Sequence, residues 1–350
     1  MSMMQMMLGA GGGGGGLDID DVFSLHLYTG TGAGMTITNG INLSGEGGLV
    51  WIKDRDDTYY HVMCDTERGA TKLIYSNSDM GTDVATSTVT AFNTDGFTIG
   101  NGNEVTNLND KFVSWTFRKA PGFFDIVEYT GDGESSQQIP HSLGSTPGCI
   151  MVKCTSTGST NWRVYHRSLG ATKAMFLDLV NEASTSVGHW NDTAPTSTHF
   201  TVGVSNDVNA DTDTYIAYIF AHDDQQFGAD ADQSIIKCGS YTASYSMSVP
   251  GPSIDLGWEP QYVMIKKYGP GTASASNAWG VCDEDRLGTY LTFSSPEPLY
   301  ANTTAAEEGN NTVVEFDSDG FNVDPLGQGK GLVNYPSGGT HLYIAIRKPD

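Results

Sequence analysis

Basic residues are scarce in this chain. Its 350 residues include 18 Lys and Arg against 41 Asp and Glu, which gives a formal net charge of −23. A surface this acidic repels phosphate backbones, and no stretch of the sequence interleaves basic with aromatic residues. The composition therefore excludes nucleic acid as an expected partner and predicts a soluble, self-repelling surface.

Cysteine is also rare, and its positions exclude two kinds of cross-link. There are five cysteines, an odd number, and no Cys-x-x-Cys pair occurs. Neither a disulfide framework nor a zinc site is therefore expected, and the chain fits synthesis in a reducing cytoplasm. Cys64 and Cys282 occupy matching places in the repeat described below, where a packed core position is predicted.

Long apolar stripes of helical period are missing as well. Instead, 43 glycines, together with abundant Thr, Ser, Asn and Asp, separate short runs of Val, Ile, Tyr, Phe and Trp. Short β-branched and aromatic runs between turn residues are typical of strands joined by tight turns. The sequence therefore predicts an all-β protein.

One tetrapeptide pattern occurs three times. It reads Val-Trp-Ile-Lys at 50–53, Ile-Met-Val-Lys at 150–153 and Val-Met-Ile-Lys at 263–266. The surrounding residues recur in the same order, from an aromatic turn before the pattern to an aromatic-rich closing strand. A unit of constant order that is used three times predicts three similar modules, and repeated units of this kind usually present surfaces.

The repeat also predicts local structure. Asp95-Gly96 and Asp319-Gly320 each precede a strand that begins with phenylalanine, which is a strong signal for a hairpin turn. Trp115 and Phe117 alternate along the first closing strand, a spacing that predicts one buried sheet face.

The predicted organisation is an extended anchor peptide followed by three tandem antiparallel β-sandwiches. Jelly-roll and lectin-like topologies both fit the turn spacing of about 8–12 residues. The linkers are short, so the modules are expected to pack against each other. The predicted bounds are 1–20 for the anchor, 21–120 for the first sandwich, 125–223 for the second and 234–350 for the third.

The chain opens with MSMMQMMLGAGGGGGG. This stretch has no basic region, so it is not a signal peptide, and it is too short to span a bilayer. Methionine-rich segments adapt to irregular apolar grooves, and a glycine run is a flexible tether. We expect the segment to dock into another protein of a parent assembly, with a disordered tail as the alternative. The predicted docking side chains are Met3, Met4, Met6, Met7 and Leu8.

Several motifs carry a family resemblance. They are Ile-Thr-Asn-Gly-Ile at 37–41, Leu-Val-Trp-Ile-Lys at 49–53, Asp-Thr-Glu-Arg-Gly-Ala at 65–70, Trp-Thr-Phe-Arg-Lys at 115–119 and Trp-Asn-Asp-Thr-Ala-Pro-Thr-Ser at 190–197. These motifs resemble an uncharacterised repeated domain in virion structural proteins of marine, cyanophage-like tailed bacteriophages, and the resemblance extends over residues 22–348. It implies a place on the virion, as a tail fibre, an adhesin or a capsid-surface protein, and it brings no catalytic residues.

Residues that invite a metal-binding or catalytic interpretation form no recognised pattern. Asp207, Asn209, Asp211 and Asp213 alternate like calcium ligands, but the glycine and the bidentate glutamate of a calcium loop are missing, so a solvated turn is favoured. The histidines in or near the second repeat show no paired spacing. We therefore expect no enzyme activity, no cofactor and no metal. These histidines are His141, His166, His189, His199 and His222.

Trp190 has two interpretations. It stands between His189 and Asn191 in a predicted loop. An exposed indole with polar neighbours is the arrangement that sugar-binding sites use, because sugar C–H faces pack on aromatic rings. The alternative, which we favour, is a loop tryptophan that packs back on its own domain. The candidate glycan contacts are thus Trp190, Asn191 and His189.

The expected function is that of a bacteriophage virion structural protein. We expect a surface appendage of the tail-fibre or adhesin type, assembled in the host cytoplasm and docked to other virion proteins through residues 1–16. A homotrimer is favoured by analogy with phage appendages, and a host-surface glycan is a further candidate partner, without membrane insertion.

Three alternatives stay open. One is a capsid decoration, cement or head-fibre protein. A second, of another class, is a tail-associated glycan-degrading enzyme, which would need two carboxylates facing each other about 5–9.5 Å apart. A third is a soluble lectin-like binding module without a virion role.

Overall fold

The computed structural model describes residues 16–244, 251–269, 277–286, 298–307, 314–323 and 338–350. The predicted docking side chains Met3, Met4, Met6, Met7 and Leu8 lie outside the described residues. So does most of the predicted anchor peptide.

The described residues form short strands and a few single-turn helices. The first part of the chain contains η1 (Ile19–Asp21), β1 (Phe23–Thr29), β2 (Met35–Thr38), α1 (Leu43–Glu46), β3 (Gly48–Asp54), β4 (Val62–Asp65), β5 (Lys72–Tyr75), β6 (Asp83–Val84), β7 (Val89–Asn93), β8 (Gly96–Ile99), α2 (Asn103–Thr106) and β9 (Lys111–Arg118). The second contains β10 (Phe124–Thr130), β11 (Gln137–Pro140), β12 (Cys149–Cys154), β13 (Arg163–His166), β14 (Lys173–Ala174), β15 (Ser184–Thr185), α3 (Val187–Trp190), β16 (His199–Val202), α4 (Asn206–Asn209) and β17 (Thr214–Phe220). The third contains β18 (Gln225–Phe227), β19 (Gln233–Ser234), β20 (Ile236–Thr242), β21 (Ser253–Asp255), β22 (Pro260–Lys267), β23 (Trp279–Asp283), β24 (Leu299–Tyr300), β25 (Val314–Asp317), β26 (Gly320–Val323) and β27 (Thr340–Arg347).

The fold is all-β, with several antiparallel sheets and no closed barrel among the described strands. Three large sheets have the orders β1-β9-β3-β4-β5-β6, β10-β17-β12-β13 and β20-β27-β22-β23-β24. Three smaller sheets, β2-β8-β7, β11-β16 and β21-β26-β25, accompany them in the same sequence. The recurring tetrapeptide lies in β3, β12 and β22. In each large sheet this strand pairs with the last strand of its part of the chain, β9, β17 or β27, which in turn pairs with β1, β10 or β20.

The strands of the recurring tetrapeptide are buried along their whole length. All seven residues of β3, all six of β12 and all eight of β22 are buried. A strand that is covered on both faces reads as a continuous apolar run, which explains the absence of polar alternation in these segments. Each of these strands also has hydrogen-bonded neighbours on both sides, so its backbone groups are paired.

In the first and third large sheets the two faces contribute to different cores, whereas residues from both faces of the second belong to one core. Val50 and Ile52 pack with residues of the small sheet β2-β8-β7, including Phe97. Val263 and Ile265 do the same in the third part of the chain. We call these faces the outer faces.

The opposite faces, which we call the inner faces, meet in one central core. Trp51, Trp115, Tyr218, Tyr262 and Met264 belong to it, and they come from all three large sheets. The ring centroids of Trp115 and Tyr262 are 6.1 Å apart. Phe117, predicted to share a buried face with Trp115, packs edge-on to Phe220 at 5.6 Å.

Other local predictions are confirmed. Cys64 and Cys282 are buried in the cores under the outer faces, and all five cysteines are free and buried. Asp95 and Asp319 lie in the turns of the hairpins β7–β8 and β25–β26, and Gly96 and Gly320 begin their second strands. A Cβ on Gly96 would lie 2.0 Å from the Ile37 carbonyl oxygen of β2, so β8 can pair this closely with β2 only because this residue is glycine.

None of the described helices is long and apolar enough to cross a membrane.

Gly96→Ala is expected to destabilise the protein. Gly96 has φ +147°, and the added Cβ would collide with the backbone of β2. We expect a loss of about 1–3 kcal/mol or more in the free energy of unfolding, measured by denaturant or thermal melts. Gly158→Ala is the matched control, because the nearest atom to its Cβ would be the Gly81 nitrogen at 3.9 Å. Equal melting of the two variants would contradict this account.

Candidate functional site

The lysine that ends each recurring tetrapeptide is buried. Lys53, Lys153 and Lys266 each have no exposed surface. The ammonium of Lys53 donates to the carbonyl oxygens of Asp54 at 2.6 Å and Asp57 at 2.9 Å. Backbone carbonyls thus replace the water that this charge would have at the surface.

The other two lysines also bind carbonyls from a different part of the chain. Lys153 Nζ donates to the Asp79 carbonyl at 2.9 Å, and Lys266 Nζ donates to the Leu179 carbonyl at 3.0 Å. Each also donates to a carbonyl in its own following loop, that of Thr160 for Lys153 and that of Asn277 for Lys266. These bonds tie the second large sheet to the first part of the chain and the third large sheet to the second part.

Burial perturbs these amines. It lowers the pKa of Lys266 to about 7, against the opposing effect of Asp178, and the pKa of Lys53 to about 8, against Asp54 and Asp57. It also raises the pKa of the Asp178 carboxyl to about 7. An amine with a pKa near neutrality suits nucleophilic chemistry. These amines, however, are enclosed and bound to carbonyls, so the arrangement is architectural.

A second set of contacts joins tryptophans to the preceding part of the chain. Trp162 Nε1 donates to the Tyr75 carbonyl at 2.9 Å, and Trp279 Nε1 donates to the Phe176 carbonyl at 2.7 Å. His61 holds the matching place in the first large sheet. It is fully buried, and burial lowers its pKa well below the usual range, opposed by the backbone of Tyr300.

A third set consists of two buried ion pairs that reach an aromatic residue of another sheet. Asp65 and Arg68 lie 2.6 Å apart, and the Tyr218 hydroxyl donates to Asp65 Oδ2 at 2.8 Å. Asp283 and Arg286 are also 2.6 Å apart, and here Trp115 Nε1 donates to Asp283 Oδ2 at 3.0 Å.

The second large sheet has a different residue in this place. His166 is fully buried, and its Nε2 lies 3.2 Å from the Tyr343 carbonyl oxygen of the third sheet. Burial lowers its pKa to about 4, so it acts as a neutral hydrogen-bonding group at neutral pH. Sequence reasoning missed these roles, although the shared Asp-x-x-Arg spacing at 65–68 and 283–286 was a usable signal.

An exposed groove lies between the first and second large sheets. It encloses about 420 Å³ and is lined by Glu67, Lys119, Asp125, Glu128 and His141, among others. Lys119 Nζ lies 2.6 Å from Glu67 and 3.4 Å from Asp125. Burial lowers the pKa of Lys119, but the hydrogen bond and charge of Glu67, together with Asp125, outweigh this and raise it. Lys119 thus engages Glu67 and Asp125, two of the three acids that line this groove.

The candidate glycan residues are not displayed as a platform. Trp190 is only 2% exposed and packs edge-on to Tyr165 at 6.0 Å, and His189 is also buried. Asn191 ends α3 in a left-handed conformation, with φ 49°. The ring faces that sugar stacking requires are thus covered, because α3 folds back on the second large sheet, and the alternative of a tryptophan packed on its own domain agrees with the structure.

The alternating Asp and Asn residues at 207–213, for which the sequence favours a solvated turn, include two that bind separate partners. Asp207 binds Arg163, at 2.8 Å from Nε, and lies 3.6 Å from His189. Burial raises the pKa of Asp207, but His189 and Arg163 lower it to about 2 overall. Asn209 instead hydrogen-bonds Asp132. Among the described residues, no group of three or more His, Cys, Asp or Glu side chains could hold a metal ion.

The histidines of the second repeat do not form one cluster, and among the hydrogen bonds of the described residues only His141 and His199 share a partner. His141 and His199 both hydrogen-bond Thr196, whereas His189 lies beside Asp207. His222 accepts from the backbone of Cys238, and His166 faces the third large sheet.

A family model described as a domain of unknown function, DUF7483, matches residues 18–349. The chain belongs to this family. The match extends from before β1 to beyond β27, so all three large sheets of this DUF7483 chain fall within one family unit. No curated protein matches the chain.

Trp115→Phe tests the contact between the first and third sheets. The change leaves the buried Asp283 carboxylate without one donor, which we expect to cost about 1–3 kcal/mol in the free energy of unfolding. Trp258→Phe is the matched control. Trp258 is 8% exposed, and its Nε1 has no hydrogen-bond partner in the part of the chain that the structure describes. Similar losses in the two variants would show that the indole hydrogen bond contributes nothing.

Lys266→Met tests the buried amine through pH dependence. The folded-state pKa of about 7 lies below the usual 10.5, so between these values the unfolded chain binds more protons. This lysine should therefore make the stability of the wild type rise with pH from about 7 to about 8.5, by about 1.4 kcal/mol for each pH unit. Above that range the buried thiols, whose pKa values are raised, oppose the rise.

The Lys266→Met variant should show a smaller rise than the wild type over this range, measured by urea unfolding at several pH values. Lys53 and Lys153 contribute to the rise that remains, since burial also lowers the pKa of each. Lys72→Met, at an exposed position in β5, is the control and should keep the wild-type slope. An unchanged slope in Lys266→Met would contradict the assignment.

Proposed function

We propose that the chain is a bacteriophage virion structural protein without enzymatic activity. It is a surface appendage of the tail-fibre or adhesin type, docked to the particle through residues 1–16. The observation that carries this proposal is the use made of the buried polar groups. Lys153, Lys266, Asp65, Asp283 and His166 all hold one sheet against another part of the chain.

Strand order and matching side-chain contacts support a division into three β-sandwich modules. The large sheets share a strand order, and each has a small sheet on its outer face. Matching residues make matching contacts, as Trp162 and Trp279 do with the carbonyls of Tyr75 and Phe176. Under this proposal the modules are residues 21–120, 125–223 and 234–350, preceded by an anchor at 1–20.

A structural role also accounts for the surface groove better than catalysis does. A glycan-degrading enzyme needs two carboxylates that stay available to substrate. In the groove, Lys119 engages both Glu67 and Asp125, and Asp125 also accepts from the backbone of Ser142 at 2.6 Å. This favours a rigid display module over the enzyme alternative.

The start of the described chain supports docking from one side of the molecule. The Gly228 nitrogen donates to the Leu17 carbonyl at 2.9 Å, beside the hairpin β18–β19. A Cβ on Gly16 would lie 2.6 Å from the Gly228 carbonyl oxygen, so the chain passes this hairpin closely. These contacts of Gly16 and Leu17 support an anchor that leaves the body beside this hairpin.

The proposed partners are other virion proteins and further copies of the chain. A homotrimer is proposed by analogy with phage appendages. Because the inner faces of the large sheets already cover each other, such an oligomer forms through the solvent-exposed surface of the molecule. A host-surface glycan would also bind an outer surface.

Incorporation into particles tests the docking proposal. We expect a tagged chain lacking residues 2–15 to be absent from purified virions by mass spectrometry, while the tagged full-length chain is present. A second variant, with Ser in place of Met3, Met4, Met6, Met7 and Leu8, keeps the length of the segment and should also be absent.

Retention of either variant in virions at the full-length level would overturn the anchoring role. Antibody labelling of particles that carry the full-length chain separates the tail from the capsid, where decoration, cement and head-fibre proteins lie. Depolymerisation of a host glycan by the purified chain would instead favour the enzyme.

A further inference from the structure

The contacts between the three large sheets are matched in position but not in chemistry. Register identifies the matching places. Trp115, Tyr218 and Ile344 each pair with the second residue of a recurring tetrapeptide: Trp51, Met151 and Met264 respectively. Asp65, His166 and Asp283 each pair with the residue before that tetrapeptide.

We propose that these residues are a pairing code that decides which module packs against which, so that one chain closes on itself as a ring of three unlike junctions. This inference rests on the proposed division into modules. It adds that each junction surface accepts one occupant, a defined neighbouring module of the same chain.

Two junctions use a buried ion pair and an aromatic donor. At the junction of the first and second modules, Tyr218 donates to Asp65, and Arg68 Nη2 lies 3.3 Å from the Tyr218 hydroxyl. At the junction of the third and first modules, Trp115 donates to Asp283, and the Arg286 guanidinium carbon lies 5.6 Å from the Trp115 ring centroid. In both, the ion pair meets a side chain that carries an N–H or O–H group.

The junction of the second and third modules uses a different set. The place of Trp115 and Tyr218 is taken by Ile344, which has no donor. Opposite it, His166 replaces the aspartate and Leu169 replaces the arginine, and His166 bonds the Tyr343 backbone. The third module thus has no side-chain donor at this place, and the second module has no ion pair that would need one.

The direction of the contacts closes the ring. The second module donates to the first, the first donates to the third, and His166 joins the second to the third. The first and third modules, which are farthest apart in sequence, are also linked by Arg55 to Glu307 at 2.6 Å and by Ser76 Oγ to the Ala301 carbonyl at 2.6 Å.

Mispairing is unfavourable for a physical reason. An Asp–Arg pair that faces Ile344 would lose a hydrogen bond in a buried place, and Tyr218 facing His166 and Leu169 would bury an unsatisfied hydroxyl. The unlike sets therefore disfavour wrong module order and exchange of modules between copies of the chain.

Exchange of residue sets within the full-length chain tests this code. One half-change is Asp65→His with Arg68→Leu, and the other is Tyr218→Ile. The combined variant carries all three substitutions. It places at the junction of the first and second modules the His, Leu and Ile set that the junction of the second and third modules uses. Each half-change should lower the thermal midpoint and raise the number of chains per particle, measured by light scattering, relative to wild type.

The combined variant should regain the wild-type number of chains per molecule in solution. Its thermal midpoint should lie several degrees above the value expected from adding the losses of the two half-changes. A matched control joins Tyr218→Ile to Asp283→His and Arg286→Leu, at a junction that Tyr218 does not face. This control should show no recovery. If the half-changes fail to fold, recovery of folded protein by the combined variant alone decides in favour of the code.

Purely additive effects, or equal recovery by the control, would overturn the code. These measurements use the isolated chain, so they do not depend on whether it is incorporated into virions. Failure of the code is thereby distinguishable from failure of the proposed function.

Discussion

Burial of both faces of the large sheets is the constraint on which the rest of the structure depends. A sheet with one solvated face can alternate apolar and polar residues, but β3, β12 and β22 are buried along their whole length. Each sheet has a small sheet on its outer face and the other large sheets on its inner face. The inner faces together form the central core, so no large sheet could keep its own inner face dry without the other two.

Any polar group in that central region needs a partner from the protein itself. The recurring lysines meet this requirement with backbone carbonyls, and the aspartates meet it with arginines and aromatic donors. Such buried charges contribute little net stability, because desolvation offsets their attraction, but a missing partner is costly. Their main effect is therefore on specificity, since only the correct neighbour satisfies them.

Sequence reasoning reached those parts of the fold that are decided locally. The hairpins at Gly96 and Gly320 followed from Asp-Gly turns, and the buried aromatic face of β9 followed from alternation. The candidate sites fared differently. For Trp190, polar neighbours in the sequence suggested an exposed platform, but the favoured packed interpretation agrees with its burial against Tyr165. His166 and Arg68 instead bind partners that are remote in sequence, which the residues around them do not predict.

The sequence by itself determined strand character, turn positions, the threefold recurrence and the acidic surface, since these depend on residues within a few positions of each other or on composition. Only the tertiary structure decided that the recurring lysines are buried, that the inner faces share one core and that the contacts between large sheets differ in chemistry. Tyr218 and Asp65 are 153 residues apart, and Trp115 and Asp283 are 168 apart. Contacts over such separations follow from how whole sheets pack, and a local pattern does not encode which distant surface will cover it.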